Sequence, residues 1–128
     1  MRRWGDVSSG CMELTVLFRP VGQREYELIE ASGFRRFPPR LAEQPFFYPV
    51  TNEEYASQIA RDWNTKDETS GWVGYVLRFS IQSEFLQAYP VRTVGSAVHQ
   101  EYRIPAAELD AFNDHIDGLI QSIACFRA

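Results

Sequence analysis

The sequence predicts an α+β fold, a single compact domain in which two or three helices flank a mixed or antiparallel sheet. Residues 72–81 (WVGYVLRFSI) place a large apolar side chain at every second position, which is typical of a strand. Apolar residues at helical spacing occur elsewhere in the chain. The length of 128 residues allows one domain with one core and is short for two. We expect Tyr75, Leu77 and Phe79 of this central strand to be buried, with Arg78 on the opposite face.

The first half of the domain begins with a strand and a helix. Leu14–Phe18 is short and apolar, and we expect Pro20 to end it because proline cannot donate to a ladder. The Glu-rich segment that follows predicts a helix over Gln23–Ser32, which Gly33 terminates in a left-handed conformation. Residues 34–45 (FRRFPPRLAEQP) contain three prolines and are predicted to form an ordered loop.

A brief aromatic strand, PFFYPV at residues 45–50, precedes a second helix. Thr51 and Glu54 have the spacing of a capping box, so we expect the helix to begin there. One stripe of this helix is predicted to be core: Tyr55, Ala56, Ile59, Ala60 and Trp63.

The last third is predicted to contain a late strand and a long helix. Residues 83–89 resemble a short helical turn, residues 90–95 are extended, and residues 98–104 (VHQEYRI) form the last strand. Pro105 stops this strand and suits the first position of a helix. Apolar residues at spacings of three and four then predict an amphipathic helix to the C-terminus: Leu109, Phe112, Ile116, Leu119, Ile120 and Ile123.

Composition excludes several classes of protein. The net charge of -4 and the pI of about 5.2 make nucleic acid a poor partner. No apolar stretch reaches the length of a membrane helix. Cys11 and Cys125 form no CxxC pair and no zinc spacing, so we expect a reducing cytoplasm. Residues 1–11 carry no secretory signal pattern and are expected to be a tail or an alternative start. The oligomeric state stays open.

The sequence contains no GxGxxG, GxxxxGK[ST], HExxH or GxSxG motif. A nucleotide site, if the chain has one, is therefore neither a P-loop nor a Rossmann site, and we expect no metal.

A row of polar residues on the late strand is the main candidate for chemistry. Because side chains alternate along a strand, His99, Glu101 and Arg103 share one face. One interpretation is the solvated face of an edge strand. The other is a catalytic edge, in which a fixed carboxylate at Glu101 stabilises an oxocarbenium-like sugar and His99 tunes or replaces it.

Three segments together resemble the mono-ADP-ribosyltransferase fold: LFRPV, then PFFYPVTNEEYASQIA, then an acidic residue on a late strand before IPAAEL. The chain from Met12 onward is also similar to small bacterial proteins labelled ADP-ribosylation/crystallin J1. The resemblance implies that Arg19 holds NAD and that Glu101 stabilises the ribose as nicotinamide leaves. It further implies Tyr48 or Tyr55 as stacking partners for nicotinamide.

A protein-binding module is the alternative function. Small acidic α+β domains include immunity proteins, which neutralise a toxin by covering its basic active site. The interaction surface would consist of Glu53, Glu54, Asp62, Asp67 and Glu68. The simpler interpretation of these five residues is a solvated helix face and loop.

Overall fold

The computed structural model describes residues 13–94 and 99–128 and has the α+β architecture that the sequence predicts. Its elements are β1 (Leu14–Val21), α1 (Gln23–Ala31), β2 (Phe46–Phe47), α2 (Glu53–Asp62), β3 (Val73–Gln82), α3 (Ser83–Leu86), β4 (Arg92–Thr93), β5 (Gln100–Glu101), β6 (Ile104–Pro105), α4 (Leu109–Asp114) and β7 (Ile116–Arg127). Short 3-10 helices cover Asn64–Lys66, Glu68–Ser70 and Ala106–Glu108. The expected tail, residues 1–11, lies outside the described residues.

An antiparallel sheet in the order β1-β3-β7 forms the centre of the domain. The prediction for β3 is confirmed: Tyr75, Leu77 and Phe79 are buried and Arg78 is exposed. Smaller antiparallel pairs join β2 to β6 and β4 to β5. β1 continues through Pro20 to Val21, so Pro20 does not end it as expected. β1 is an outer strand of the three-stranded sheet, where the missing amide of a proline is tolerated.

The sheet is covered on both faces. The odd-numbered residues of β3 enter a large aromatic core that includes Phe37, Phe47 and Phe112. On this side α1 packs against β3, and the Tyr26 ring stacks on that of Tyr75 at 3.9 Å. On the other face, Val76 packs beneath α2 in a smaller cluster. α2 therefore lies on one side of the sheet, with α1 and α4 on the other.

Helix α1 agrees with its predicted bounds to within one residue, and Gly33 adopts a φ of 78° just beyond it. The start of α2 differs from the prediction. Its cap is Asn52, whose side chain accepts a hydrogen bond from the Tyr55 amide at 2.7 Å, whereas Thr51 Oγ1 contacts Gln100. An Asn side chain at the N-cap accepts a hydrogen bond from the amide three residues later, the same type of bond that the Thr of a capping box makes.

The predicted core stripe of α2 is partly wrong. Ala56 and Ala60 are fully buried against the sheet, but the Trp63 side chain is exposed over 71% of its surface. Trp63 is the C-cap of α2, where the backbone departs from the helix, so it does not continue the buried stripe.

The predicted C-terminal helix is wrong beyond Asp114. α4 ends there, and Ile116–Arg127 is a strand paired with β3. Ile116 and Ile120 pack on the core. Residues four positions apart lie on the same face of a strand as well as on the same face of a helix, so this spacing fits both structures. Leu119, which the helix would bury, is exposed. Gly118, with a φ of 78°, lies at one of two register shifts in β7 that a regular pattern does not anticipate.

The segment predicted to be the last strand is also different. Within the described part of residues 98–104, pairing is confined to β5 and β6, and β7 follows them. Pro105 belongs to β6 and precedes a 3-10 helix, rather than opening a long α-helix. In the described ranges, no helix is long and apolar enough to cross a membrane.

Candidate functional site

One residue, Val50, brings the two halves of the candidate site together. It forms bridges with Phe18 of β1 on one side and with Glu101 of β5 on the other. The Phe18 and Val50 backbones exchange two hydrogen bonds of 2.9 and 2.8 Å. As a result Arg19, next to Phe18, and Glu101 line the same cleft although they are far apart in sequence.

We call this cavity of about 390 Å³ the Glu101 cleft. Its wall combines residues from β1, the segment before α2, α2 and the late strands: Arg19, Tyr48, Val50, Ile59, Glu101 and Arg103. Its volume lies at the lower end of the range of small-molecule sites, and its lining mixes apolar side chains with a few charges, as in such sites.

The Glu101 carboxylate is held from two sides. Its side chain is 12% exposed, and the Arg103 Nε lies 3.7 Å from Oε2. The Tyr55 hydroxyl donates a hydrogen bond of 3.3 Å to Oε1. Burial, followed by the charge and hydrogen bond of Glu101, raises the pKa of Tyr55 above its ordinary value. Tyr55 therefore remains a neutral donor to Glu101 at physiological pH.

His99 reaches Glu101 through Tyr55. The imidazole stacks on the Tyr55 ring, with centroids 4.5 Å apart and planes 18° apart. Its Nε2 lies 3.0 Å from Oε1 of Gln58 on α2. Within the described ranges His99 forms no hydrogen bond or ion pair with Glu101, and it contacts Tyr55 and Gln58 instead.

The two predicted stacking residues occupy different places. Tyr48 lines the Glu101 cleft and is 36% exposed, so part of the residue is accessible there. The Tyr55 ring is stacked by His99, and its hydroxyl binds Glu101. Of the two, Tyr48 is the residue whose ring can contact a ligand in the cleft.

Arg19 is buried, and its guanidinium is directed towards α1. Its Nε and Nη2 donate hydrogen bonds of 2.6 and 2.9 Å to the two oxygens of Glu25. Its Nη1 lies 3.4 Å from the Tyr48 carbonyl oxygen, and the guanidinium carbon lies 4.5 Å from the centroid of the Phe47 ring. Arg19 borders the Glu101 cleft, while its strongest contacts are on the side of Glu25.

Sequence reasoning missed a second arginine at this carboxylate. Arg40, from the proline-rich loop, places Nη1 3.7 Å from Glu25 Oε1 and donates from Nε to the Phe46 carbonyl at 3.1 Å. Burial, followed by the neighbouring charge of Arg19, lowers the pKa of Arg40. The ion pair between Arg19 and Glu25 could have been predicted from their positions on a strand and on the first turn of the following helix. Nothing in the sequence indicated that Arg40 joins it.

These residues open into a second cavity of about 590 Å³, which we call the Arg40 cleft. Arg19 lies on the wall shared with the Glu101 cleft. The wall of the Arg40 cleft includes Arg19, Glu25, Arg40, Trp63 and Asn64.

Of the acidic residues proposed as a protein-binding surface, Glu53, Glu54, Asp62 and Glu68 are exposed and Asp67 is half-buried. Asp62 pairs with Arg61 at 3.0 Å. Asp67 accepts hydrogen bonds from Thr69 and Ser70 within its own turn. Glu53 and Glu54 are exposed in the first turn of α2, where carboxylates stabilise a helix N-terminus.

Residues 13–94 and 99–128 contain no group of three or more His, Cys, Asp or Glu side chains that could hold a metal ion. Comparison with protein-family models gave no match, and comparisons with curated proteins and with solved structures gave none either.

Proposed function

We propose that the Glu101 cleft binds NAD or an ADP-ribosyl group, and that the protein acts as an ADP-ribosyltransferase-like domain. The observation that carries the proposal is that Arg19 and Glu101 line one cleft. These are the two residues to which the sequence resemblance assigns the binding of NAD and the stabilisation of its ribose.

Glu101 is suited to stabilise a developing positive charge. When the glycosidic bond to nicotinamide breaks, the leaving ring takes the electron pair and positive charge develops on the ribose. A preorganised carboxylate contributes most where such charge develops. Glu101 is largely buried and is held by Tyr55 and Arg103, so little reorganisation is needed at the moment of reaction.

The neighbouring residues take positioning and binding roles in this proposal. Tyr55 orients the carboxylate, and His99 together with Gln58 fixes the Tyr55 ring. Tyr48, which is partly exposed at the cleft, is the aromatic residue on which the planar nicotinamide would stack. Glu25 occupies two nitrogens of the Arg19 guanidinium, so Arg19 borders a ligand in this cleft as part of an ion pair.

The test compares Glu101→Gln with the wild-type protein. NAD is titrated calorimetrically into the wild type, and nicotinamide release is then measured for both proteins at equal concentration. We expect the wild type to bind NAD and the substitution to lower nicotinamide release about a hundredfold, the scale of losing one preorganised electrostatic group.

Glu54→Gln is the matched control, because Glu54 is an exposed carboxylate on the first turn of α2. It should leave nicotinamide release unchanged. Equal rates for Glu101→Gln and the wild type would reject the role of Glu101. A calorimetric titration without heat of binding for either NAD or ADP-ribose would reject the proposed function itself.

A further inference from the structure

The Arg40 cleft contains more buried positive than negative charge. The side chains of Arg19, Arg40 and Glu25 are 9%, 12% and 20% exposed, so two guanidinium groups share one carboxylate away from solvent. Both oxygens of that carboxylate already accept hydrogen bonds from Arg19. A buried charge without a full counter-charge is costly, and an anion entering the cleft would offset this cost.

Arg40 has donors available for such an anion. Its Nη1 is 3.7 Å from Glu25, which is too long for a hydrogen bond, and its Nε is engaged by the Phe46 carbonyl. Within the described ranges, its terminal nitrogens have no hydrogen-bond acceptor. Burial, followed by the charge of Arg19, lowers the pKa of Arg40, and the opposing effect of Glu25 is smaller than either. Terminal guanidinium nitrogens match the geometry of phosphate oxygens.

The other acidic residues of this cleft do not supply the missing charge. Asp67 binds Thr69 and Ser70 of its own turn, and Glu43 is exposed on the loop. Neither forms an ion pair with Arg19 or Arg40 among the residues described here.

One aromatic side chain on the cleft wall suits a planar ring. Trp63 leaves most of its indole exposed at the cleft, and an exposed tryptophan provides a stacking surface for such a ring.

We propose that the Arg40 cleft binds a phosphorylated small molecule with a planar ring, such as a nucleoside diphosphate, through Arg40 and Trp63. This goes beyond the proposed function because it requires neither NAD nor Glu101. The phosphate accepts hydrogen bonds from Arg40, and the ring stacks on Trp63.

Pyrophosphate and ADP, each titrated calorimetrically at fixed ionic strength, are the probes. Both should bind the wild type, and Arg40→Gln should weaken each about tenfold or more. Arg35→Gln is the control, since Arg35 is an exposed arginine of the same loop, and it should bind both probes as the wild type does. Arg40→Lys keeps the charge without the guanidinium and should recover only part of the affinity, which guards against a folding defect in Arg40→Gln.

Trp63→Ala tests the ring. It should weaken ADP about fivefold while leaving pyrophosphate unchanged. Equal effects on the two probes, or none on ADP, would overturn the stacking role. Failure of pyrophosphate and ADP to bind, or equal binding by Arg40→Gln and Arg35→Gln, would overturn the site.

Glu101→Gln separates this inference from the proposed function and should bind pyrophosphate and ADP normally. If both probes bind through Arg40 but NAD is neither bound nor cleaved, the Arg40 site stands and the proposed function fails. If NAD is cleaved through Glu101 but neither probe binds, the proposed function stands and the Arg40 site fails.

Discussion

Glu25 supports both clefts, and its neutralisation should destabilise the protein strongly. The carboxylate binds Arg19 through two hydrogen bonds and lies 3.7 Å from Arg40. At this last separation one charge pair amounts to about 4 kcal/mol at an effective dielectric constant of about 20, before desolvation is subtracted. Glu25→Gln retains the volume but leaves two guanidinium groups facing each other, so we expect a loss of about 3–5 kcal/mol in the free energy of unfolding.

The measurement is urea denaturation followed by circular dichroism. Glu27→Gln is the control, because Glu27 is an exposed carboxylate of the same helix whose partner is Gln23, and it should cost less than about 0.5 kcal/mol. A double-mutant cycle with Arg40→Met adds a second criterion. Removing Arg40 should cost at least about 1 kcal/mol less in the Glu25→Gln background, where it relieves repulsion, than in the wild type.

The stabilising role of Glu25 would be refuted if Glu25→Gln and Glu27→Gln lowered the free energy of unfolding by the same amount. It would also be refuted if the cycle showed no coupling, because the two arginines would then not share the carboxylate energetically.

Two other predictions concern stability. In Gly74→Ala the added Cβ would clash with the backbone carbonyl of Ala60 on α2, so we expect a loss of about 1–3 kcal/mol in the free energy of unfolding by overpacking. A denaturation midpoint equal to that of the wild type would contradict this. Burial, together with the hydrogen bond to Glu108, raises the pKa of Tyr89 from 10.0 to about 12. A group whose pKa is raised by folding contributes its full stabilisation at pH values below its pKa in the unfolded chain. The difference in free energy of unfolding between the wild type and Tyr89→Phe should therefore be fully present below pH 10 and disappear as the pH approaches about 12. An unchanged difference across that range would contradict this assignment.

The fold was predictable where one periodicity dominates. In β3 the alternation admits only a strand, and at Gly33 a left-handed residue is the ordinary end of a helix. The C-terminal segment was not predictable because the spacing of four between Ile116 and Ile120 suits both a strand and a helix. Its conformation is decided by pairing with β3, a contact that no local pattern contains.

The candidate site was predictable only in part. Arg19 and Glu101 could be singled out by residue type and resemblance, and the structure places both on one cleft. Their partners come from other elements, Glu25 from α1, Arg40 from a loop and Tyr55 from α2. Those contacts depend on the packing of helices on the sheet, which hydrophobic patterning does not determine.

The position of β3 between β1 and β7 also has a consequence for how the chain folds. Neither neighbour is joined to β3 by a hairpin, since α1 and α2 precede it and α3 and α4 follow it before β7 begins. Every ladder of the central sheet therefore closes a long loop. The chain loses the conformational entropy of that loop before strand pairing stabilises the structure, and topologies of this kind fold in milliseconds to seconds rather than microseconds. During synthesis β3, an apolar strand, emerges before β7 and has one open edge until β7 is available. In that interval, association with other chains competes with folding.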